Sequence, residues 1–232
     1  MPKKFDAELN ALKSKLVDMG EVAQEMFQTS TRALIDRDRD LLRRVEELEN
    51  KVDQYQVEID DDVVRLMAVY TPVALDMRFV LMTARINTEI ERIGDQAVNM
   101  GQHIELLLGE SELKKLVDLP RMADIASKMV RRSLRAYREN SPEQAVEVIR
   151  MDDEVDALND QIFRELLTYM SDVRNIKRSI GLIFIARALE RIADHATNIA
   201  EEVVYMVRGK DIRHQDDPAA ILSDDPKGAA ED

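Results

Sequence analysis

The chain has 232 residues, room for one large domain or two small ones, and a formal net charge of −13, which argues against a general nucleic-acid binder. Charged residues make up 34% and aromatics 4%, with only seven Gly and six Pro, a composition of long helices rather than of a sheet protein. There is no Cys, so disulfides and thiolate metal sites are excluded. No apolar run approaches the ~18–20 residues a membrane span requires, and the N-terminus lacks a signal-peptide core. A cytoplasmic protein without membrane insertion is the expectation.

In chain order, the first predicted helix runs from about Lys4 to Asp36, with Leu9, Leu12, Leu16, Met19, Val22 and Met26 near helical spacing. The Asp36–Asp40 stretch interrupts it. The second resumes near Leu41, carries Val45, Leu48, Val52, Tyr55, Ile59 and Leu66, and ends at Thr71-Pro72. There Thr71 is a candidate N-cap and Pro72 a candidate first residue of the next helix. The third carries Ile86, Ile90, Ile93, Ala97, Met100, Ile104 and Leu107 and stops at Gly109. The fourth starts at Ser111 or Leu119 and reaches Glu139. Ser141-Pro142 with Gln144 is a capped start for a fifth helix reaching about Met170. The polar link Ser171-Asp172-Val173-Arg174 leads to a sixth, ending near Gly209. From Asp211 to Asp232 there are seven acidic and two basic residues, two Pro and a run of small residues, so this tail is expected to be disordered.

Internal repetition organises the chain. The dodecad Glu89-Ile-Glu91-Arg-Ile-Gly-Asp95-Gln-Ala-Val-Asn99-Met100 returns as Ala188-Leu-Glu190-Arg-Ile-Ala-Asp194-His-Ala-Thr-Asn198-Ile199, 99 positions later. Upstream the offset is 103: Met19 matches Met122, Met26 matches Met129, and Val52-Asp53 matches Val155-Asp156. The predicted fold is therefore all-α, two tandem three-helix repeats (1–110 and 111–209) packed into one body, followed by the acidic tail (210–232).

Each dodecad lines up Glu, Asp and Asn on one helix ridge, since residues four apart stack. Two acids at that spacing repel by a few tenths of a kcal/mol, so a chain that builds the arrangement twice has a use for it. A second pair precedes each: Glu49 with Asp53, and Asp152 with Asp156. In an antiparallel hairpin, residues at equal height have indices with a constant sum. Pairing Glu49 with Asp95 and Asp53 with Glu91 centres the turn on Pro72; pairing Asp152 with Asp194 and Asp156 with Glu190 centres it on Val173. Both centres fall on breaks assigned from capping and polarity. A single acidic pair on so charged a helix is usually a solvated face, whereas four pairs in two matching layers suit metal binding. The candidate ligands are Glu49, Asp53, Glu91, Asp95 and Asn99, and Asp152, Asp156, Glu190, Asp194 and Asn198. They lie opposite the apolar stripe Ile90, Ile93, Ala97 and Met100, on an outer seam.

Oxygen-only ligands favour Mg, Mn, Ca or an oxygen-ligated Fe, as divalent or trivalent ions, and each group has room for more than one ion. Gly94 and Ala193 occupy the positions three after Glu91 and Glu190, where a di-iron oxidase needs His. His103 and His195 are nearby, but a surface role is the simpler reading. No phosphate-cradling loop or nucleophile elbow is present, and an enzyme is not expected. Arg131, Arg132, Arg135 and Arg138 on the fourth helix read as a solvated face.

The doubled Glu-Arg-Ile-(Gly/Ala)-Asp-x-Ala-x-Asn, together with Pro72-Val-Ala-x-Asp76-Met-Arg78-Phe, resembles the PhoU family of phosphate-signalling regulators over nearly the whole chain to about Arg208. That resemblance implies multinuclear metal clusters on the paired acidic motifs, carried over onto Glu49, Asp53, Glu91, Asp95, Asp152, Asp156, Glu190 and Asp194. It also implies a cytoplasmic negative regulator that couples the ATPase-driven phosphate ABC transporter to a sensor histidine kinase. Gln96 stands where the family's first repeat often has His. A homodimer is plausible from the broad surfaces of the first and fourth helices. The alternatives are a helical adaptor or transport accessory protein needing no metal.

Overall fold

The computed structural model describes residues 2–213, and the tail beyond them lies outside the described part. Seven α-helices follow in order: α1 (Pro2–Asp36), α2 (Asp40–Tyr70), α3 (Ala74–Leu108), α4 (Asp118–Glu139), α5 (Pro142–Ile149), α6 (Asp152–Tyr169) and α7 (Ile176–Arg208), with a 3₁₀ turn at Val173–Asn175. No strand occurs among the described residues.

The apolar positions of α3 recur in three-four steps at Ile86, Ile90, Ile93, Ala97, Met100, Ile104 and Leu107, all buried. Ninety-nine residues on, Ile185, Leu189, Ile192, Ala196, Ile199, Val203 and Met206 repeat the stripe on α7, equally buried. Each such Ile, Leu, Val or Met side chain contributes about 1.5–3 kcal/mol by leaving water. These two helices pack most extensively on one another and form the spine. Helices α1 and α2 complete the first bundle around α3; α4, α5 and α6 complete the second around α7. One continuous apolar core runs through both halves. Where α1 crosses α4 the backbones come close: a methyl on Gly20 would sit 2.5 Å from the Leu134 side chain. Gln24 and Gln28 of α1 both donate to the Ser127 hydroxyl of α4 there.

The turns show how local chemistry places the helices. α1 ends on Arg37 in the left-handed region (φ 53°), with the Asp38 amide returning to the Ala33 carbonyl at 3.2 Å. The Asp38 carboxylate then accepts the Asp40 amide at 2.9 Å and starts α2. Ser141 caps α5 as expected, accepting the Gln144 amide at 3.3 Å with Pro142 behind it. Asp172 caps the 3₁₀ turn through the Arg174 amide.

Three expectations are corrected. Thr71 is not an N-cap: it is the left-handed C-cap of α2 (φ 46°), its amide bonded to the Met67 carbonyl. A residue before proline is disfavoured in the right-handed helical region, so the chain turns at Thr71, and Pro72 precedes the helix instead of opening it. The predicted fifth helix is two helices, α5 and α6, parted at Arg150–Met151 by three-residue hydrogen bonds, Met151 to Val148 and Glu154 to Met151. Lys210–Arg213, taken as the start of the tail, still belong to the folded body, because Ile212 is only 2% exposed.

Gly209 closes α7 at φ 69°, with its amide on the Tyr205 carbonyl. A methyl there would sit 2.1 Å from the Arg78 guanidinium. Gly209→Ala is expected to cost about 1–2 kcal/mol for the left-handed residue, measurable as a shifted urea midpoint. Combining it with Arg78→Ala should relieve the contact but not the backbone cost. An unchanged midpoint in the single variant would rule out the constraint.

Candidate metal centre

The acidic ridges are placed by the same pleating of apolar and polar positions that builds the core. On α2, Leu48 and Val52 face inward, leaving Glu49 and Asp53 on the flank towards α3. On α3, Ile90, Ile93 and Gly94 are buried while Glu91 and Asp95 look outward. α6 and α7 repeat this with Val155 inside and Asp152, Asp156, Glu190 and Asp194 at the seam.

The electrostatics show that the two ridges of each hairpin feel one another. Partial burial holds the Glu49 carboxyl above its usual range, and Asp53, Asp95 and Glu46 add to this by repulsion. Glu91 is raised by burial, then by Asp95 and Asp53. In the second half the effect is stronger. Burial, then Asp156 and Asp194, push Asp152 up to about 7, against a smaller opposing pull from the Thr197 hydroxyl. Asp156 is raised by burial, Asp153 and Asp160. Burial and Asp194 raise Glu190, and burial and Asp156 raise Asp194, with nearby cations opposing in each case. The hairpin register inferred from the turns thus sets the two carboxyl pairs of each half within electrostatic reach of one another.

These eight acids lack direct ion pairs. Many surface carboxylates here are ion-paired, as Asp62 with Lys15 at 2.7 Å and Glu25 with Arg44 at 3.0 Å. Among the described residues none of the eight has a Lys, Arg or His partner within salt-bridge distance. The side chains are splayed, so that no three Asp, Glu or His groups among the described residues converge into a coordination shell. One oxygen is already desolvated: Asp152 Oδ1 is buried with no full hydrogen bond, and the neighbouring Thr197 hydroxyl is buried and unpaired as well. A buried carboxylate oxygen without a donor is costly, and a hard cation would satisfy it. An all-oxygen donor set on neighbouring helices fits such ions.

The two Asn residues part company. Asn99 is exposed on its ridge. Asn198 is turned to the other half of the molecule, donating to Glu89 Oε2 at 2.9 Å. His195 Nδ1 lies 2.8 Å from the same oxygen, and Arg92 donates to Oε1 at 2.9 Å. His195 is therefore a tie between α7 and α3 and not a surface group. His103 stacks on Phe184 with ring centroids 4.6 Å apart. Glu89 is the tying residue that the sequence pattern did not single out, although the signal was present. In the repeated dodecad Glu89 is matched by Ala188 and Gln96 by His195, and Glu89 and His195 are the two that meet. The copies differ where they touch.

The Arg patch on α4 is exposed; Arg135 pairs with Glu139 and Arg132 with Glu147, as a solvated face would. No helix among the described residues is long and apolar enough to cross a membrane.

The fold defines a class: a duplicated three-helix bundle with one acid-lined hairpin per copy. Comparison with known proteins fixes the family. The PhoU domain matches twice, at residues 16–104 and 119–203, and the chain belongs to the PhoU family. The phosphate-specific transport system accessory protein PhoU homolog of Pseudomonas aeruginosa is 36% identical over 212 residues, covering 90% of this chain and 88% of that protein. Its counterpart in Clostridium acetobutylicum is 34% identical over 210 residues, with 90% and 96% covered. The crystal structure of PhoU from Pseudomonas aeruginosa superposes with a TM-score of 0.86 over 89% of this chain and all of that one, at 36% identity. PhoU from Streptococcus pneumoniae, at 24% identity and a TM-score of 0.82, shares the fold.

Proposed function

We propose that this chain is a cytoplasmic, metal-binding accessory protein of a phosphate transport system. In this reading it is a non-enzymatic negative regulator that couples the ATPase of a phosphate ABC transporter to a sensor histidine kinase. Family membership over nine-tenths of the chain, with relatives named as phosphate-specific transport system accessory proteins, carries the transport part. The metal part rests on eight carboxyls in two coupled groups without ion-pair partners, with Glu49, Glu91, Asp152, Asp156, Glu190 and Asp194 raised by burial and by neighbouring carboxylates, and on the buried Asp152 Oδ1. Glu49, Asp53, Glu91 and Asp95 would hold one group of ions, with Asn99 beside them. Asp152, Asp156, Glu190 and Asp194 would hold the other, while Asn198 is engaged with Glu89. Bound cations would supply countercharge. The protein's own residues supply the rigid hairpins and the surface offered to partners, in a homodimer or alone.

The test is a single substituted protein with Glu91, Asp95, Glu190 and Asp194 all changed to Ala, purified without chelator or tag metal beside the parent. Several oxygen-ligated ions per parent chain and none in the variant are expected, with phosphate repression of a starvation reporter lost in a deletion strain carrying the variant. Equal metal content in both proteins would remove the metal centre. Intact repression by a metal-free variant would leave a plain helical adaptor.

A further inference from the structure

At the opposite end of the first bundle from the α2–α3 turn, a cavity of about 210 Å³ opens between the ends of α1 and α3, the connector 109–117 and the first turns of α7. Its walls are apolar, with Leu34, Leu107, Leu116 and Leu182 among them. An engineered protein cavity of roughly 150 Å³ holds benzene, so this space takes a ring-sized body with room for a linking atom.

Five charged residues share the lining: Arg37, Glu112, Lys114, Lys115 and Arg178. Lys114 is neutralised by Glu165. The other three cations have no carboxylate partner among the described residues. Arg37 spends one nitrogen, Nη2, on the carbonyls closing α3, those of Leu107, Leu108 and Glu110. Arg178 uses both terminal nitrogens to pin the connector, at the Ser111 hydroxyl (2.7 Å) and carbonyl, and its own helix start at Asn175 Oδ1 (2.6 Å) and the Arg174 carbonyl. Its Nε is left buried with no hydrogen-bond partner. Lys115 is exposed and makes no hydrogen bond or ion pair among the described residues. Three unpaired cations against the single carboxylate of Glu112 leave an excess of two positive charges over an apolar slot.

We propose that this cavity binds a small organic dianion, a compact apolar body carrying a phosphate-monoester head. The body fills the leucine-lined slot. The head pairs with Lys115 and the Arg37 guanidinium, in the field of Arg178 behind them. Because the walls come from α1 and α3 of one half and α7 of the other, such a ligand bridges the two halves. The site is separate from the acidic seams and stands whether or not they hold metal.

Phenyl phosphate is the probe, titrated into the full chain and followed by the methyl resonances of the leucines. Saturable shifts confined to Leu34, Leu107, Leu113, Leu116 and Leu182 are expected, weakened roughly tenfold or more in Lys115→Glu, a change at an exposed residue that holds nothing else. Leu116→Trp, which fills the slot, should abolish them while the helical circular-dichroism signal is kept. Inorganic phosphate, benzoate and benzyl alcohol, each lacking part of the chemistry, should bind more weakly than phenyl phosphate. The proposal is overturned if no saturable shift appears at millimolar probe, if Lys115→Glu binds as the parent does, or if any of the three partial probes matches phenyl phosphate.

Discussion

Tyr137→Ala is expected to destabilise the protein by about 4 kcal/mol, near the upper end of core truncations. Tyr137 is fully buried on α4, and its ring stacks on Phe79 of α3 with centroids 5.8 Å apart. Its hydroxyl lies 2.7 Å from Thr83 Oγ1, which also bonds to the Phe79 carbonyl at 2.8 Å. Thr83 therefore donates to that carbonyl and accepts from the phenol, and burial holds the phenol far above its ordinary pKa. The residue is a bolt between the halves: α3 belongs to the first repeat and α4 to the second. Tyr137→Phe keeps the ring and loses only the hydroxyl bond, an effect of about 1 kcal/mol. Thr83→Val orphans the buried phenol, and a double-mutant cycle between the two changes should give a coupling near 1 kcal/mol. Chemical denaturation measures all five proteins. A loss under about 1.5 kcal/mol in Tyr137→Ala would mean that the halves close around the gap and that this contact does not hold them together.

The metal-free protein should lose stability as pH rises from about 4 to 7, and Asp152 should be a main reason. Its carboxyl is raised from 3.8 to about 7 in the folded state, so between those values the folded chain binds more protons than the unfolded one. Stability gained in acid is then lost as Asp152 ionises, the reverse of the usual paired carboxylate. The full shift would be worth about 4 kcal/mol; water still reaching the seam reduces this to about 2 kcal/mol. Asp152→Asn removes the charge and should raise the melting temperature of the chelated protein at pH 8, while flattening its pH profile. The same variant should gain less from added Mg or Mn than the parent does. If it melts as the parent does at pH 8 in chelator, the strain assigned to this carboxyl is absent.

Most of the fold was legible because the helix breaks carry their own chemistry. Ser141-Pro142 caps, Gly209 accepts a left-handed turn, and the three-four spacing from Ile86 to Leu107 fixes one buried face. The hairpin register followed from residue numbers alone, since a helix rises uniformly and the turn position sets which residues face each other. The break at Arg150–Met151 was not legible. Both residues keep right-handed helical angles, and neither Gly nor Pro marks the place. Its one sequence trace is Asp152-Asp153-Glu154, three acids in what proves to be a first turn, where the helix dipole favours them. At the site, the ridges were readable but the destination of Asn198 and His195 was not. Glu89 reaches them across the α3–α7 packing, which no local pattern encodes.

That missed break makes the two copies mechanically unequal. α2 is an uninterrupted rod of 31 residues, whereas its counterpart is an 8-residue piece jointed to an 18-residue one. A helix of two turns does not persist by itself, so α5 keeps its shape by leaning on α4 and α7. Strain applied to the first hairpin passes along a stiff strut to the Pro72 turn. In the second hairpin it meets a joint lying directly against Asp152. Duplication thus left one arm continuous and one jointed, and the joint lies beside the carboxyl raised furthest among the described residues.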